Sequence, residues 1–520
     1  MSEFPENVYS VWKKNLKILL VYPQYPDTFW SFKHALRFIS KESSFPPLGL
    51  LTVAAMLPNS WEKRLVDLNV TSLKDSDLKW ADYVFLSAMA IQRESVELII
   101  KRCKQIGVRT VAGGPLFTAE HEKFADIDYL VLDEAEITLP HFIHDLQNGC
   151  ARHVYRTTER PELNITPIPA WELIDMKHYS GLNIQYSRGC PFDCEFCDIV
   201  VLNGHKPRTK SKEQLISELE AIYKLGWRES IFIVDDNFIG NKRKLKEEVL
   251  PALIAWMKSM EHPFSFLTEA SINLADDEEL MDLMIQAGFD TVFVGIESPS
   301  EECLAECGKL QNKNRDLLIS VKKLQNRGFQ VHGGFIIGFD SDIATIFENM
   351  INFIQHSGIV TAMVGLLNAP TGTKLYQRLK KENRLVKEFS GNNTDISMNF
   401  VPKMEYETLI NGYKHILNTI YSHKEYYERV TTFLRVYQPV TQQKVKITME
   451  QCKALIRSIW IIGIKHKGRK YYWKLLVWTL VRRPRVFTLS VTLAICGFHY
   501  RQVVNDIISF PTRKNAYENL

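Results

Sequence analysis

No stretch of the 520 residues is an uninterrupted apolar run of the roughly 18 or more residues that a spanning helix needs, so a transmembrane segment is not expected. The first dozen residues are polar and carry Glu3 and Glu6, which does not read as a secretory signal. Disulfide spacing is missing too. Six of the nine cysteines (Cys103, Cys150, Cys303, Cys307, Cys452 and Cys496) are scattered through the chain, which fits a reducing cytoplasm. Net charge is only +4, too little to argue for a nucleic-acid partner. No G-x-G-x-x-G follows the first apolar run, which lowers the case for a dinucleotide site. What remains is a globular composition, 45% hydrophobic and 24% charged, long enough for two or three domains.

The other three cysteines, Cys190, Cys194 and Cys197, sit in Arg188-Gly189-Cys190-Pro191-Phe192-Asp193-Cys194-Glu195-Phe196-Cys197, a C-x3-C-x2-C spacing with little helix or strand character. Thiolates are soft ligands that suit iron–sulfur clusters. Three on one tight loop can hold three irons of a cubane and leave the fourth open to a small molecule. Three unrelated buried cysteines, or a zinc site, are the alternatives. Zinc sites usually ask for a fourth close Cys or His and come with C-x2-C pairs.

Before this stretch, strands are expected at residues 17–22, 65–68, 83–87, 110–112 and 129–132. Helices are expected at 48–56, 94–106 and 118–124. That alternation implies an open α/β sheet with helices on both faces and ligand-binding loops at the carboxyl ends of its strands. Those loops carry Ser87 and Met89, Gly113-Gly114-Pro115, and Glu134. A glycine pair lets backbone approach a bulky ligand, though a plain strand-to-helix turn explains it equally. Residues 151–180 read as a connector, broken by Pro161, Pro167 and Pro169, with 171–179 as a short lid or bridge.

After residue 181 strand–helix units repeat. Strands are expected at 183–187, 230–234, 264–267, 291–296, 332–337 and 362–367, about six against the eight of a full barrel. Polar residues recur at their carboxyl ends: Asp235 and Asp236, Thr268 and Glu269, Glu297 and Ser298, then Gly338. Beyond about residue 400 helices take over, at 406–421, 427–436, 449–462 and 471–481, with a shorter apolar stretch at 486–498. Lys465, Lys467, Arg469, Lys470, Arg482, Arg483 and Arg485 interleave there with Trp473 and Trp478. That pattern suits either an amphipathic surface on anionic lipid or a helical cap on the barrel mouth.

The cysteine spacing, with Phe196 just before the third cysteine, resembles the radical S-adenosylmethionine superfamily. The α/β domain before it, with Phe45-Pro46-Pro47-Leu48-Gly49-Leu50-Leu51 and Gly113-Gly114-Pro115, resembles the cobalamin-dependent, class B, members. Phe29-Trp30-Ser31-Phe32 and Gly189 to Ile199 are shared most specifically with the subgroup that includes the hopanoid C-2 methylase. The resemblance implies a Rossmann-like cobalamin-binding domain (1–150), a linker (151–180), a partial (β/α)6 radical core (181–400) and a C-terminal helical domain (401–520). It implies a [4Fe–4S] cluster on Cys190, Cys194 and Cys197, and cobalamin near Ser87, Met89, Gly113, Gly114, Pro115 and Glu134. S-adenosylmethionine is expected near Phe196, Arg208, Asp235, Asp236, Thr268, Glu269, Glu297, Ser298 and Gly338. Within that set, Asp235 and Asp236 stand where the family has Gly-Gly-Glu for the methionine amino group. Arg208 is a candidate for the methionine carboxylate, and Gly338 for backbone support of adenine. The Asp-x-His-x-x-Gly of classical cobalamin domains is missing, so the lower ligand of cobalt stays open.

The implied activity is methyl transfer to an unactivated carbon of a hydrophobic, hopanoid-like substrate. In the family, one-electron cleavage of S-adenosylmethionine yields a hydrogen-abstracting radical and methylcobalamin donates the methyl group. A radical cyclase or ring-modifying enzyme with the same cofactors, and a non-catalytic cobalamin or redox sensor, are the alternatives. Expected partners are a small-molecule or lipid substrate and a flavodoxin- or ferredoxin-type reductant, with no nucleic acid. The expected location is cytoplasmic, with peripheral contact at the inner membrane face through the C-terminal region.

Overall fold

The structure, a computed structural model, describes residues 15–439 and 449–509. The described chain forms two compact units. One comprises residues up to Tyr25 together with Pro47–Asp175; the other comprises Pro26–Pro46 and the chain from Met176 onward.

The first unit is built on a six-stranded parallel sheet. Its strands are β1 (Lys17–Tyr22), β2 (Glu62–Asp67), β3 (Tyr83–Ser87), β4 (Arg109–Gly113), β5 (Tyr129–Val131) and β6 (Val154–Tyr155), in the order β2-β1-β3-β4-β5-β6. Side chains alternate along each strand, and both faces are apolar, as a sheet covered on both sides requires. Leu19, Val21, Val84 and Leu86 pack with Val96, Ile99 and Cys103 of helix Arg93–Ile106 on one face. Ile18, Leu20, Phe85 and Val111 pack on the other with Leu50 and Ala54 of helix Leu48–Met56 and with Leu139 and Phe142 of helix Ala135–Gln147. Each fully buried Leu or Ile contributes about 2 kcal/mol. Winding reverses between β1 and β3, so the carboxyl ends of these two strands flank the crevice where open α/β sheets take ligands. Strand β6 lies inside the stretch expected to be connector. It has two residues, too few to show a period.

The second unit carries another parallel sheet. Strand β7 (Leu182–Ile184) is followed by an antiparallel ribbon of β8 (Ser187–Arg188) and β9 (Arg208–Thr209). Then come β10 (Ser230–Ile233), β11 (Ser265–Glu269), β12 (Phe289–Glu297), β13 (Gln330–Ile337) and β14 (Ala362–Leu366). The order β14-β13-β12-β11-β10-β7 makes six parallel strands, with intervening helices. Helix Lys212–Lys224 follows β9 and starts on a capping box. Ser211 Oγ accepts from the Gln214 N–H (3.2 Å), and the Gln214 side chain accepts from the Ser211 N–H (3.1 Å).

Among the described residues five C-terminal α-helices follow: Tyr406–Ile420, His423–Val436, Met449–Ser458, Arg469–Arg482 and Phe487–Ser509. None of the described helices is long and apolar enough to cross a membrane. The last one outruns the expected apolar stretch because polar residues extend it inside the core. His499 is buried with Nε2 3.0 Å from the Phe29 carbonyl, and the Tyr500 ring stacks on Phe29 at 4.4 Å. Phe29-Trp30-Ser31-Phe32, expected in the first domain, therefore belongs to the second unit, where Trp30 also meets Phe293 of β12 edge-on at 5.5 Å.

Candidate active site

The cysteine loop leaves β8 and is tied at its base. Asp235, at the end of β10, is fully buried; it accepts from the Tyr186 N–H (2.8 Å) and the Ser187 hydroxyl (2.6 Å). Gly189 turns the chain at φ +96°. A Cβ there would stand 2.7 Å from the Lys206 carbonyl oxygen and 2.9 Å from that of Gly204, so only glycine fits. The Cys190 N–H donates to the Gly204 carbonyl (3.2 Å), and the Glu195 N–H to that of Cys307 (2.9 Å). All three loop cysteines are free thiols, Cys194 buried and the other two half-buried. Burial pushes each thiol up, and the Lys309 ammonium pulls each the other way. Thiolates in such a pocket need cationic partners, and irons supply them. Among the described residues no group of three or more His, Cys, Asp or Glu is placed to hold a single metal ion. A cubane takes one thiolate at each of three irons, and three free thiols on one loop are that donor set.

A second layer clamps the loop. Arg378, on helix Lys374–Lys381, grips Glu195 with two bonds, Nε to Oε1 at 2.7 Å and Nη2 to Oε2 at 3.0 Å. Its Nη1 donates to Asp340 (2.9 Å), which Arg384 also holds at 2.6 Å. Burial alone would raise the Asp340 carboxyl, but these two guanidinium groups bring it down to about 2. The Leu375 N–H donates to the Glu195 carbonyl (2.9 Å), and Lys374 pairs with Asp193. Cys303 and Cys307 support the same region, Cys303 by its thiol to Asp342 (3.0 Å) and Cys307 by its carbonyl to Glu195.

Around the loop the carboxyl ends of the strands divide into committed and uncommitted groups. Thr268 donates to the Ile233 carbonyl (2.9 Å), Ser298 Oγ accepts from the Ser300 N–H (3.2 Å), and the Gly338 N–H donates to Asp342 (2.7 Å). With Asp235, these residues hydrogen-bond to groups of their own chain. Arg208 is buried in β9 and donates to the Asn203 carbonyl (3.1 Å). Glu297 adopts φ +63° at the end of β12 and accepts from Lys309 Nζ at 2.7 Å. Two carboxyls are left. Burial and then the Asp235 charge push Asp236 up to about 7, and the Asn203 side chain donates to it at 3.3 Å. Burial and then the Asp236 charge push Glu269 up to about 8, and among the described residues its carboxyl accepts no hydrogen bond. The Phe196 ring lies 6.4 Å from that of Phe339. Lys309 and Arg378 escaped the sequence reading, since neither stands at a strand end or in the cysteine phrase.

In the first unit Ser87, Met89, Gly113, Gly114, Pro115 and Glu134 share the carboxyl edge of three adjacent strands. The glycines answer to the fold. A Cβ on Gly113 would stand 2.4 Å from the Val131 carbonyl of β5, and one on Gly114 (φ +90°) 2.6 Å from Ser87 Oγ. Pro115 opens helix Pro115–Glu120, which begins three residues before the expected start and runs into a 3-10 turn at His121–Lys123. Glu134 is buried, 3.6 Å from the Arg160 guanidinium. Met89 is exposed. Buried Gln92 accepts from the Met89 N–H (2.9 Å) and donates to the Pro23 carbonyl (2.5 Å), tying together the ends of β1 and β3.

Three family models match the chain: the radical SAM superfamily over residues 184–354, a B12 binding domain over 37–143, and a domain of unknown function over 373–510. The hopanoid C-2 methylase of Rhodopseudomonas palustris is 34% identical over 90% of this chain and 90% of its own length. The chain belongs to the cobalamin-dependent radical S-adenosylmethionine enzymes. Its subgroup includes the hopanoid C-2 methylase, and its cofactors are a [4Fe–4S] cluster, S-adenosylmethionine and cobalamin. An uncharacterised methyltransferase of Synechocystis sp. is 41% identical over 95% of the enzyme and 93% of that relative. Both relatives are methyltransferases by name, and the enzyme is a cobalamin-dependent radical methyltransferase. Two solved structures share the fold. The cobalamin-dependent S-adenosylmethionine radical enzyme OxsB has a TM-score of 0.62 at 15% identity, over 95% of the enzyme and 84% of that chain. The radical S-adenosylmethionine methyltransferase TsrM of Kitasatospora setae has a TM-score of 0.58 at 11% identity, over 94% and 100%.

Proposed function

We propose that the enzyme methylates an unactivated sp3 carbon of a hydrophobic substrate of the hopanoid-lipid class. The observation that carries the chemistry is one three-thiol loop standing beside two carboxyls with few or no protein partners. The substrate class is supported by the hopanoid C-2 methylase relative. When bound, the cluster with S-adenosylmethionine supplies a hydrogen-abstracting carbon radical, and methylcobalamin supplies the methyl group. The protein's share is to bind, orient and exclude water.

Cys190, Cys194 and Cys197 hold the cluster, and the clamp on Glu195 keeps the loop shut. Glu269 and Asp236 receive the methionine ammonium, whose positive charge draws their protons off. Arg208 meets the methionine carboxylate, and Phe196 flanks the site. Lys309 balances the thiolate charge while Glu297 holds it in place. Cobalamin rests on the carboxyl edge of the first sheet, against Ser87, Met89 and the Gly113–Pro115 turn. Electrons come from a flavodoxin- or ferredoxin-type protein. The enzyme works in the cytoplasm.

The test is anaerobic turnover of the reconstituted enzyme with methyl-deuterated S-adenosylmethionine and a lipid extract from a strain lacking the gene. A lipid gaining a trideuterated methyl group is expected, and that lipid is missing from the strain's own profile. Label that stays out of every lipid, with S-adenosylmethionine still cleaved, rejects the substrate class.

A further inference from the structure

The region from Gln451 to Asn505 contains eleven Lys and Arg residues and no Asp or Glu, although the whole chain carries only +4. Apolar side chains are exposed in the same place. Of the seventeen exposed large hydrophobics among the described residues, eight lie between Met449 and Val481, far more than scattered surface residues would give. They follow helical spacing. Ile456, Trp460 and Ile464 stand at i, i+4 and i+8 along Met449–Ser458 and its continuation Ile459–Lys465. Trp473, Val477, Leu480 and Val481 line helix Arg469–Arg482.

The two helices are locked to each other. Ser458 and Tyr472 share a buried hydroxyl contact at 2.8 Å, and the Trp473 indole N–H donates to the Gly463 carbonyl at 2.9 Å. Trp473 thus lies at the joint between the two apolar stripes. Trp460, with 55% of its surface exposed, carries Lys465 Nζ 4.8 Å from its ring centre. Lys467, Lys470, Lys474, Arg482 and Arg485 make no ion pair among the described residues. Arg483, by contrast, is spent on the carbonyls of Arg435 (2.7 Å) and Tyr437 (2.6 Å).

We propose that this helix pair lies on an anionic bilayer surface, tryptophans and aliphatic side chains dipped into the interface and lysines and arginines among the headgroups. A second copy of the chain would cover the apolar stripes only by setting two strongly cationic faces together, with Glu450 at the start of the first helix as the one acid between Met449 and Asn505, and such faces repel. An anionic bilayer complements both features, and its tryptophan-and-cation pattern is that of a helix lying in the interface. No described helix can span the bilayer, so the contact is peripheral. The surface gives the proposed lipid substrate a route to the enzyme, yet vesicle binding needs no substrate, so either proposal can fail alone.

The test is co-sedimentation of the full-length reconstituted enzyme with phosphatidylglycerol-containing vesicles and with pure phosphatidylcholine vesicles. Strong binding to the first, weak binding to the second and release by salt are expected. Each exposed cation near the surface is worth about fivefold in partitioning. K470Q/K474Q/R482Q/R485Q should therefore bind at least about a hundredfold more weakly, and W460S/I464S should lose binding while remaining charged. Iron content and uncoupled S-adenosylmethionine cleavage should stay unchanged in both, which separates docking from folding. Equal binding to the two vesicle types, or unchanged binding in both variants, overturns the proposal. So does a dimer that W460S/I464S dissociates in protein that ignores vesicles.

Discussion

The clamp on Glu195 makes a quantitative demand. Arg378 gives Glu195 two charge-assisted bonds and gives Asp340 one. Truncation by Arg378→Ala leaves Asp340 with Arg384 at 2.6 Å, so the loss falls on Glu195. That carboxylate is 19% exposed and its partner 30%, between the buried pairs whose breakage costs several kcal/mol and the exposed ones worth less than 1. About 2 kcal/mol is the intermediate figure, after allowing for solvent screening. It acts on closure of the cysteine loop and corresponds to about thirtyfold more time open. The assay is the rate at which a chelator strips iron from the reconstituted enzyme, followed by the loss of cluster absorbance. Arg378→Ala should release iron about thirtyfold faster. Arg378→Lys, which keeps the charge but loses the fork, should lie between. Glu195→Gln with Arg378→Ala should recover part of the loss, because no buried carboxylate is left unpaired. Release at the parent rate in Arg378→Ala, or a double variant worse than the sum of its parts, would refute the role given to the clamp.

Three further outcomes follow from the geometry. Gly189→Ala forces a Cβ to 2.7 Å from a carbonyl at φ +96°, so the protein should fold but take up little iron in reconstitution; normal iron content would count against the turn's role. Lys309→Met leaves Glu297 buried without its cation. It should lower the unfolding free energy by about 3 kcal/mol, read from the first urea transition by fluorescence, and Glu297→Gln with Lys309→Met should restore most of it. Asp236 and Glu269 sit at about 7 and about 8 in the ligand-free fold, against about 4 when unfolded. The folded state therefore binds more protons in that window, and ligand-free stability should fall as pH rises from about 4 to about 8. Urea midpoints across that range should show the fall, flatter in Glu269→Gln; stability rising with pH would contradict the sign.

Both sheets were legible because their strands are short apolar runs closed by polar or glycine residues. Lys17–Tyr22, Tyr83–Ser87 and helix Leu48–Met56 stand where periodicity put them. Strand β6 was not legible, since two residues carry no period. Helix Phe487–Ser509 read short because His499 and Tyr500 look like a polar end, whereas both are buried against Phe29. At the site, local spacing announced the thiols but not what surrounds them. Whether an acid at a strand end faces a ligand or its own backbone depends on neighbours far away in sequence. Asp235 turns to Ser187, 48 residues distant, while Glu269 meets no donor among the described residues. Arg378 lies 183 residues from the carboxylate it grips, a pairing no local pattern could reveal.

The central claim is that three thiols hold a cluster with one open iron, at which S-adenosylmethionine is cleaved by a single electron. The direct measurement is 5′-deoxyadenosine formed by the dithionite-reduced, reconstituted enzyme beside a variant with Cys190, Cys194 and Cys197 all changed to Ala. The parent should yield 5′-deoxyadenosine and the variant none; equal yields from the two, or none from a parent that carries a full cluster, would contradict it.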